Sequence, residues 1–258
     1  MATYPFSSAL VTGASSGIGE ELTRQLAAAG VPVVVVARRV ERLEALAAEL
    51  DGIEVLAADL GTRAGQDRVA GRIADAAQPV DLVVNNAGFG TSGTFDELDV
   101  DRLSEEIGVN VDALTRLTHA ALGVMVPRRR GWVLNVSSFA SFQPAPRLAV
   151  YAATKAYVTS LSESLHEEVK PHGVVVTALC PGLIKTEFIE ISNMGDDTPE
   201  YPGFVWLDLA EVVTSALEGT AKGRALIVPG ALYKSASWIS GVTPRWIRRV
   251  SSSMVPRR

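Results

Sequence analysis

The 258-residue chain is poor in the residues that build disulfides and metal centres. Cys180 is its only cysteine, so no internal disulfide can form and no CxxC pair is available to hold zinc. Three histidines, His119, His166 and His172, are too scattered to form a ligand cluster and read as helix-surface or loop residues. No metal site is expected. The net charge of −5 argues against a general nucleic-acid binder. The longest apolar run, Val31 to Ala37, falls far short of the roughly 20 residues that cross a bilayer. The start, Met1-Ala2-Thr3-Tyr4-Pro5-Phe6, has neither the basic nor the apolar region of a signal peptide. A cytoplasmic protein without a transmembrane segment is the expectation.

What the chain does have is apolar residues in regular order. They make up 47% of it against 21% charged, enough for a well-formed core. Strand-like and helix-like segments alternate. Strands are expected at Ser8–Val11, Val31–Ala37, Ile53–Leu60, Asp81–Val84, Gly131–Ser137, Val174–Leu179 and Ala225–Val228. Helices are expected at Glu20–Ala29, Arg39–Leu50, Arg63–Ala77, Asp101–Met125 (ended by Pro127), a segment carrying Tyr151 and reaching Lys170, and Leu209–Thr220. Successive βα units predict an α/β fold with a doubly wound parallel sheet of about seven strands and helices on both faces. No linker or repeat interrupts it, so residues 1–258 read as one domain.

Several motifs fall where such a sheet puts its ligand crevice, at the carboxyl ends of the strands. Gly13, Gly17 and Gly19, with Ser15, Ser16 and Ile18 between them, join the first strand to the first helix. There a dinucleotide pyrophosphate meets backbone N–H groups and a helix N-terminus. The spacing is GxxxGxG, and its strand–turn–helix context gives it meaning. Past the second strand, Ala37 stands where a carboxylate would bind a ribose 2′-hydroxyl, and Arg38 and Arg39 follow. Guanidiniums there either pair with a 2′-phosphate, favouring NADP(H) over NAD(H), or are surface charges at a helix start. Asp59-Leu60 and Asn85-Asn86-Ala87-Gly88 close the third and fourth strands, as cofactor contacts or as turn residues. Tyr151 and Lys155 lie four apart, on one face of a helix. They are either ordinary helix neighbours or a phenol whose pKa of about 10 is drawn down by a fixed cation. Ser138 ends a strand nearby in sequence and offers a hydroxyl for a carbonyl oxygen.

Taken in order, Thr12-Gly13-xxx-Gly17-Ile18-Gly19, Asp59-Leu60, Asn85-Asn86-Ala87-Gly88, Asn110, Ser138, Tyr151-xxx-Lys155 and Pro181-Gly182-xxx-Thr186 resemble the short-chain dehydrogenase/reductase superfamily in its single-domain form. The match runs from about residue 8 to 186, with 13 positions from Ser138 to Tyr151 and 41 from Asn110 to Tyr151. The resemblance implies bound NAD(P) and reversible hydride transfer between nicotinamide and a carbonyl or alcohol. It assigns Tyr151 as acid/base, Lys155 as the cation that lowers its pKa and holds the nicotinamide ribose, and Ser138 to the substrate oxygen. Asn110 is assigned to a water that links Lys155 to solvent. Pro181, Gly182, Ile184 and Thr186 fall in the stretch that holds the nicotinamide, and the Ala-Arg-Arg run is similar to NADP-preferring members. Packing of the helices bearing Asn110 and Tyr151 in relatives implies a homodimer or homotetramer.

Residues 183–206, rich in Phe, Ile, Met, Tyr and Trp, read as a lid over an apolar carbonyl substrate or as packed core. A non-catalytic cofactor-binding protein and a peripheral membrane reductase are the competing classes. The last stretch differs from the rest. From Gly219 to Arg258 there are eight basic residues and no acidic one, so the remainder carries −13 of the net −5. With Trp238, Ile239, Trp246 and Ile247 among those charges, the tail at about 231–258 reads as a membrane-interfacial segment or as one packed on the acidic body or a second subunit.

Overall fold

A computed structural model describes residues 4–193, 202–244 and 246–249. Seven strands form one parallel sheet: β1 (Ala9–Thr12), β2 (Val33–Ala37), β3 (Ile53–Ala57), β4 (Leu82–Asn85), β5 (Gly131–Val136), β6 (Val174–Leu179) and β7 (Leu226–Ile227). Their spatial order is β3-β2-β1-β4-β5-β6-β7. The winding therefore reverses between β1 and β4, which opens a crevice at their carboxyl ends. Between the strands run α1 (Gly17–Ala28), α2 (Val40–Glu49), α3 (Arg63–Ile73), α4 (Val100–Ile107), α5 (Leu114–Arg128), α6 (Ala149–Val169), the one-turn α7 (Phe188–Ile191) and α8 (Leu209–Ala221); α9 (Ala231–Val242) follows β7.

The unbroken Val run of β2 is explained by burial on both faces. Val33, Val35 and Ala37 join Leu22, Leu26, Val213 and Leu217 of α1 and α8 on one side of the sheet. Val34 and Val36 join Val69, Ile73, Leu117 and Met125 of α3 and α5 on the other. Alternating side chains thus feed two separate apolar layers.

Several expected boundaries move, and some have a clear physical reason. The second strand begins at Val33 because Pro32 has no N–H to give the ladder. The third strand stops at Ala57, and Asp59 and Leu60 lie in the turn beyond it. Asp59 turns the chain by accepting from Gly61 N–H at 2.9 Å, and Thr62 then caps α3 through Gly65 N–H at 3.1 Å. Helix α3 ends at Ile73 instead of Ala77. The expected single helix over 101–125 is two helices joined by a π-helical segment, Gly108–Ala113, and it continues through Pro127 to Arg128. In the last turn the missing donor of Pro127 removes only one bond. The Arg128 side chain takes up the Val124 carbonyl at 3.0 Å.

Candidate active site

A cleft of about 780 Å³ opens at the carboxyl ends of the strands. Every site residue expected from the sequence lines it except Gly19 and Asn110, which stand directly behind its wall. One half is the turn after β1. Gly13 has φ +66°, and a Cβ on Gly19 would lie 2.2 Å from the Gly13 carbonyl, so the turn closes this tightly only with glycine at both places. Thr12 ties the turn to the end of β4. Its Oγ1 accepts from the N–H groups of Asn86 and Ala87, each at 3.0 Å. The Asn86 side chain donates to the Thr12 carbonyl at 2.9 Å. Ser16, at the start of α1, is extended and caps nothing with its side chain, so the first N–H groups of that helix face the cleft.

Cationic side chains gather beside this turn. Arg39 donates to Ser15 Oγ at 3.0 Å and to Ser16 Oγ at 2.8 Å. It also pairs with Glu187 at 2.9 Å, and Arg42 reaches the other oxygen of the same carboxylate at 2.6 Å. Hydrogen bonds from Arg42 and then Arg39 hold the Glu187 carboxyl below its ordinary range. Arg38 lines the cleft from an exposed position.

The other half is the end of β5 and the start of α6. Tyr151 and Lys155 are both buried in the cleft wall, and the Lys155 ammonium sits 5.7 Å from the Tyr151 ring centre. Lys155 Nζ donates to the Val136 carbonyl at 2.8 Å. Burial lowers the Lys155 pKa to about 8. Burial also pushes the Tyr151 phenol up to about 12, opposed by a hydrogen bond with Ser138 and reinforced by the charge of Glu106. Desolvation is thus the dominant influence on the phenol in this arrangement. The Ser137 hydroxyl donates to the Lys155 carbonyl at 2.8 Å and is tied into α6, leaving Ser138 as the serine beside the phenol.

Asn110 is turned inward by the π-helical segment. Its amide donates to the Phe89 carbonyl at 2.8 Å and to Thr154 Oγ1 at 3.1 Å, and its oxygen accepts from Phe89 N–H at 3.1 Å. Such one-turn widenings recur at functional sites because they re-aim a side chain without ending the helix. The cleft around Tyr151 is apolar, with Phe188 5.3 Å from Tyr151, ring centre to ring centre.

The short chain dehydrogenase family profile matches residues 7–195, most of the chain. The chain belongs to the short-chain dehydrogenase family. It is 31% identical over 246 residues to a very-long-chain 3-oxoacyl-CoA reductase of Anas platyrhynchos, covering 92% of this chain and 75% of that protein. Among solved structures, a short-chain dehydrogenase from Sphingobium yanoikuyae in complex with NADPH superposes with a TM-score of 0.83 at 32% identity, over 97% of this chain and 96% of that one. The bulky-bulky ketone specific alcohol dehydrogenase from Comamonas testosteroni gives 0.78 at 28% identity, over 97% and 95%. The chain is thus an oxidoreductase on a Rossmann-type sheet, as its motifs implied.

Three parts of this dehydrogenase's site were not anticipated. Arg42 and Glu187 belong to segments read only as an amphipathic helix and a lid, and nothing in their spacing pairs them. Asn135 sits mid-strand in an apolar run, yet it accepts from Asn85 Nδ2 at 2.8 Å and donates to Ser162 Oγ at 3.0 Å, forming a buried polar rung beneath the cleft. Glu106, fully buried on α4, is met by the neighbouring Thr91 at a geometry short of a full hydrogen bond through either carboxylate oxygen. A carboxylate in an otherwise amphipathic helix carried no signal of that burial. Among the described residues no cluster of His, Cys, Asp or Glu is placed to hold a metal. No described helix is long and apolar enough to cross a membrane.

Proposed function

We propose that the protein is an NADP(H)-dependent reductase of apolar ketones or aldehydes, with Tyr151 as acid/base, Ser138 on the substrate oxygen, and Lys155 and Asn110 behind them. The observation that carries this reading is the convergence of the Tyr151 phenol and Ser138 on the apolar half of a cleft whose other half is a glycine turn at a helix N-terminus. The residues fit a dinucleotide. Close backbone approach at Gly13 and Gly19 leaves the α1 N-terminus open to phosphate, and a carboxylate, Glu187, already stands between Arg39 and Arg42 as an anion would. That pairing supports a 2′-phosphate as the group these guanidiniums take, and hence NADP(H) over NAD(H). When bound, the nicotinamide supplies or accepts the hydride.

The chain's own groups handle the oxygen and the proton. As negative charge develops on the carbonyl oxygen, the hydroxyls of Ser138 and Tyr151 hydrogen-bond to it, and Tyr151 then gives up its proton. A phenol held near 12 is protonated at neutral pH, which suits donation and therefore reduction. Lys155, with a pKa of about 8, is mostly cationic there and stabilises the phenolate left behind. The Asn110 bridge ties the loop after β4, at Phe89, to Thr154 on α6, one residue before Lys155. The bulky-ketone specificity of the Comamonas testosteroni neighbour and the apolar lining around Phe188 support a large apolar carbonyl compound. The reading is tested by a panel of bulky ketones, aldehydes and secondary alcohols with NADPH or NADP, and with NADH as control. NADPH-dependent reduction is expected. Tight NADPH binding with no turnover on any member would instead favour a non-catalytic cofactor-binding protein.

A further inference from the structure

Helix α9 has two unlike sides. On the inner side Tyr233 accepts from Leu183 N–H at 3.1 Å and donates to the Val205 carbonyl at 2.9 Å. Its ring packs 5.0 Å from that of Phe139, and Gly182 makes room for it, since a Cβ there would meet the ring at 2.1 Å. One turn pair further, Ser240 donates to the Phe142 carbonyl at 2.7 Å, and Arg248 donates to the same oxygen at 3.0 Å. These contacts fix the orientation of α9 beside the cleft rim.

The outer side is apolar and faces solvent. Leu232, Trp238, Ile239 and Val242 follow helical spacing and are all exposed, Trp238 at 73%. In the helical residues 246–249 that follow, Trp246 is 62% exposed and Ile247 is exposed too. Phe204, next to the Val205 carbonyl that Tyr233 holds, is 75% exposed. Large apolar side chains in this number on one face mark an interaction surface.

Charge narrows the choice of partner. No acidic residue occurs between Gly219 and Arg258, and eight basic ones do. A two-fold dimer through this face would bring the same acid-free, basic stretch of sequence against itself, because such an interface uses one surface twice. The acidic remainder of the chain, at −13, would be repelled by an anionic surface and so would turn only this side toward one. Exposed tryptophans and branched aliphatics on a helix too short to span, in a stretch of sequence whose only charged residues are Lys and Arg, match a helix lying in the headgroup layer of an anionic bilayer.

We propose that the outer face of α9 and residues 246–249 docks this protein on anionic lipid. Binding in that orientation holds the cleft rim formed by Tyr233 and Val205 close to the membrane, where apolar carbonyl compounds partition. The docking itself does not rest on the catalytic reading. The test is flotation of the full chain with vesicles of phosphatidylcholine alone and of phosphatidylcholine mixed with phosphatidylglycerol. Binding to the mixed vesicles that weakens with salt is expected. Trp238→Ser combined with Trp246→Ser should abolish it. Lys234→Glu, on an exposed side chain, should weaken it about tenfold or more. Thermal melting of each variant reports whether it folds, and the Lys234 variant keeps the test open if the tryptophan variant does not. Absence of binding to anionic vesicles, or binding unaltered in Lys234→Glu, overturns the proposal. So does light scattering that shows a dimer dissociated by the tryptophan changes, which would assign the face to a second copy.

Discussion

The two halves of the cleft are built differently. The nucleotide half hangs on β1, β2 and β4, where the turn is fixed by backbone hydrogen bonds to Thr12 and Asn86 and by glycines that admit no side chain. The half around Tyr151, at the end of β5 and the start of α6, is walled by α7 and α9. Its shape depends on side-chain contacts such as Tyr233 to Leu183 and Phe188 to Tyr151. Backbone geometry tolerates few sequences, whereas side-chain packing tolerates many. One end of the cleft is therefore a fixed cofactor cradle and the other an adaptable wall. Tyr151, Ser138 and Lys155 stand at the seam.

The largest effect should come from that seam. Tyr151→Phe removes the proton donor while leaving the ring to pack, so turnover on a working ketone should fall by roughly 10²–10⁴ with the fold intact. Fluorescence titration should find NADPH binding little changed. Near-normal rates with a real substrate would remove Tyr151 from the acid/base role.

On the nucleotide side, Arg39→Ala should raise KM for NADPH about tenfold and leave NADH nearly untouched, since a charge-assisted bond to phosphate is worth about 1.5 kcal/mol or more at a half-exposed position. Glu187→Gln should do the reverse. It removes the carboxylate that occupies Arg39 and Arg42, and KM for NADPH should drop a few-fold. Equal effects on both cofactors would show that these arginines do not read the 2′-phosphate.

The same contrast explains what could be read from the sequence. Gly13, Asn86, Ser138, Tyr151 and Lys155 were legible because local chemistry fixes their spacing: a turn, a strand end, one helical turn. The alternation that predicted seven strands likewise follows from burial on two faces. Arg42 with Glu187, and Asn135 with Ser162, were not legible, because each pair joins positions far apart in the chain through side-chain direction alone. The π-helical segment at Asn110 was missed for a related reason: widening a helix by one residue leaves the apolar periodicity nearly unchanged. Of the lid expected at 183–206, residues 184–193 supply a short helix, a bridge from Ile184 to Leu207, and Ser192 bonded to Gly90 N–H at 3.2 Å. Residues 194–201 of that lid, and residue 245 and 250–258 of the expected tail, lie outside the described residues.

Glu106 tests what lies beneath the seam, and its effect should appear in stability. Burial raises its pKa, with the nearness of Thr91 and the charges of Lys155 and Arg102 opposing only in part. A carboxyl whose folded pKa lies above its unfolded value contributes most below the unfolded pKa of about 4.3, and that contribution is lost as pH rises through the folded pKa. Glu106→Gln keeps the shape and cannot ionise. Its melting temperature relative to the parent should therefore climb from about pH 4.5 upward and then level off. A difference that stays flat with pH would mean that Glu106 ionises in the folded protein as readily as in the unfolded chain, and one that falls would mean that it is ionised and paired.

The smallest effect belongs to the substrate wall. Tyr233→Phe keeps the ring against Phe139 and Gly182 but strips the hydroxyl that joins Leu183 to Val205. Both partners are backbone groups of the segment expected as a lid, so the loss should loosen that wall without touching the turn after β1. The lost bonds are worth about 1 kcal/mol each in stability. KM for a bulky ketone should rise a few-fold, with KM for NADPH and the rate on a small aldehyde unchanged. If KM for NADPH rises in step, the wall and the cradle are one cooperative unit, and the division between a fixed and an adaptable half does not hold.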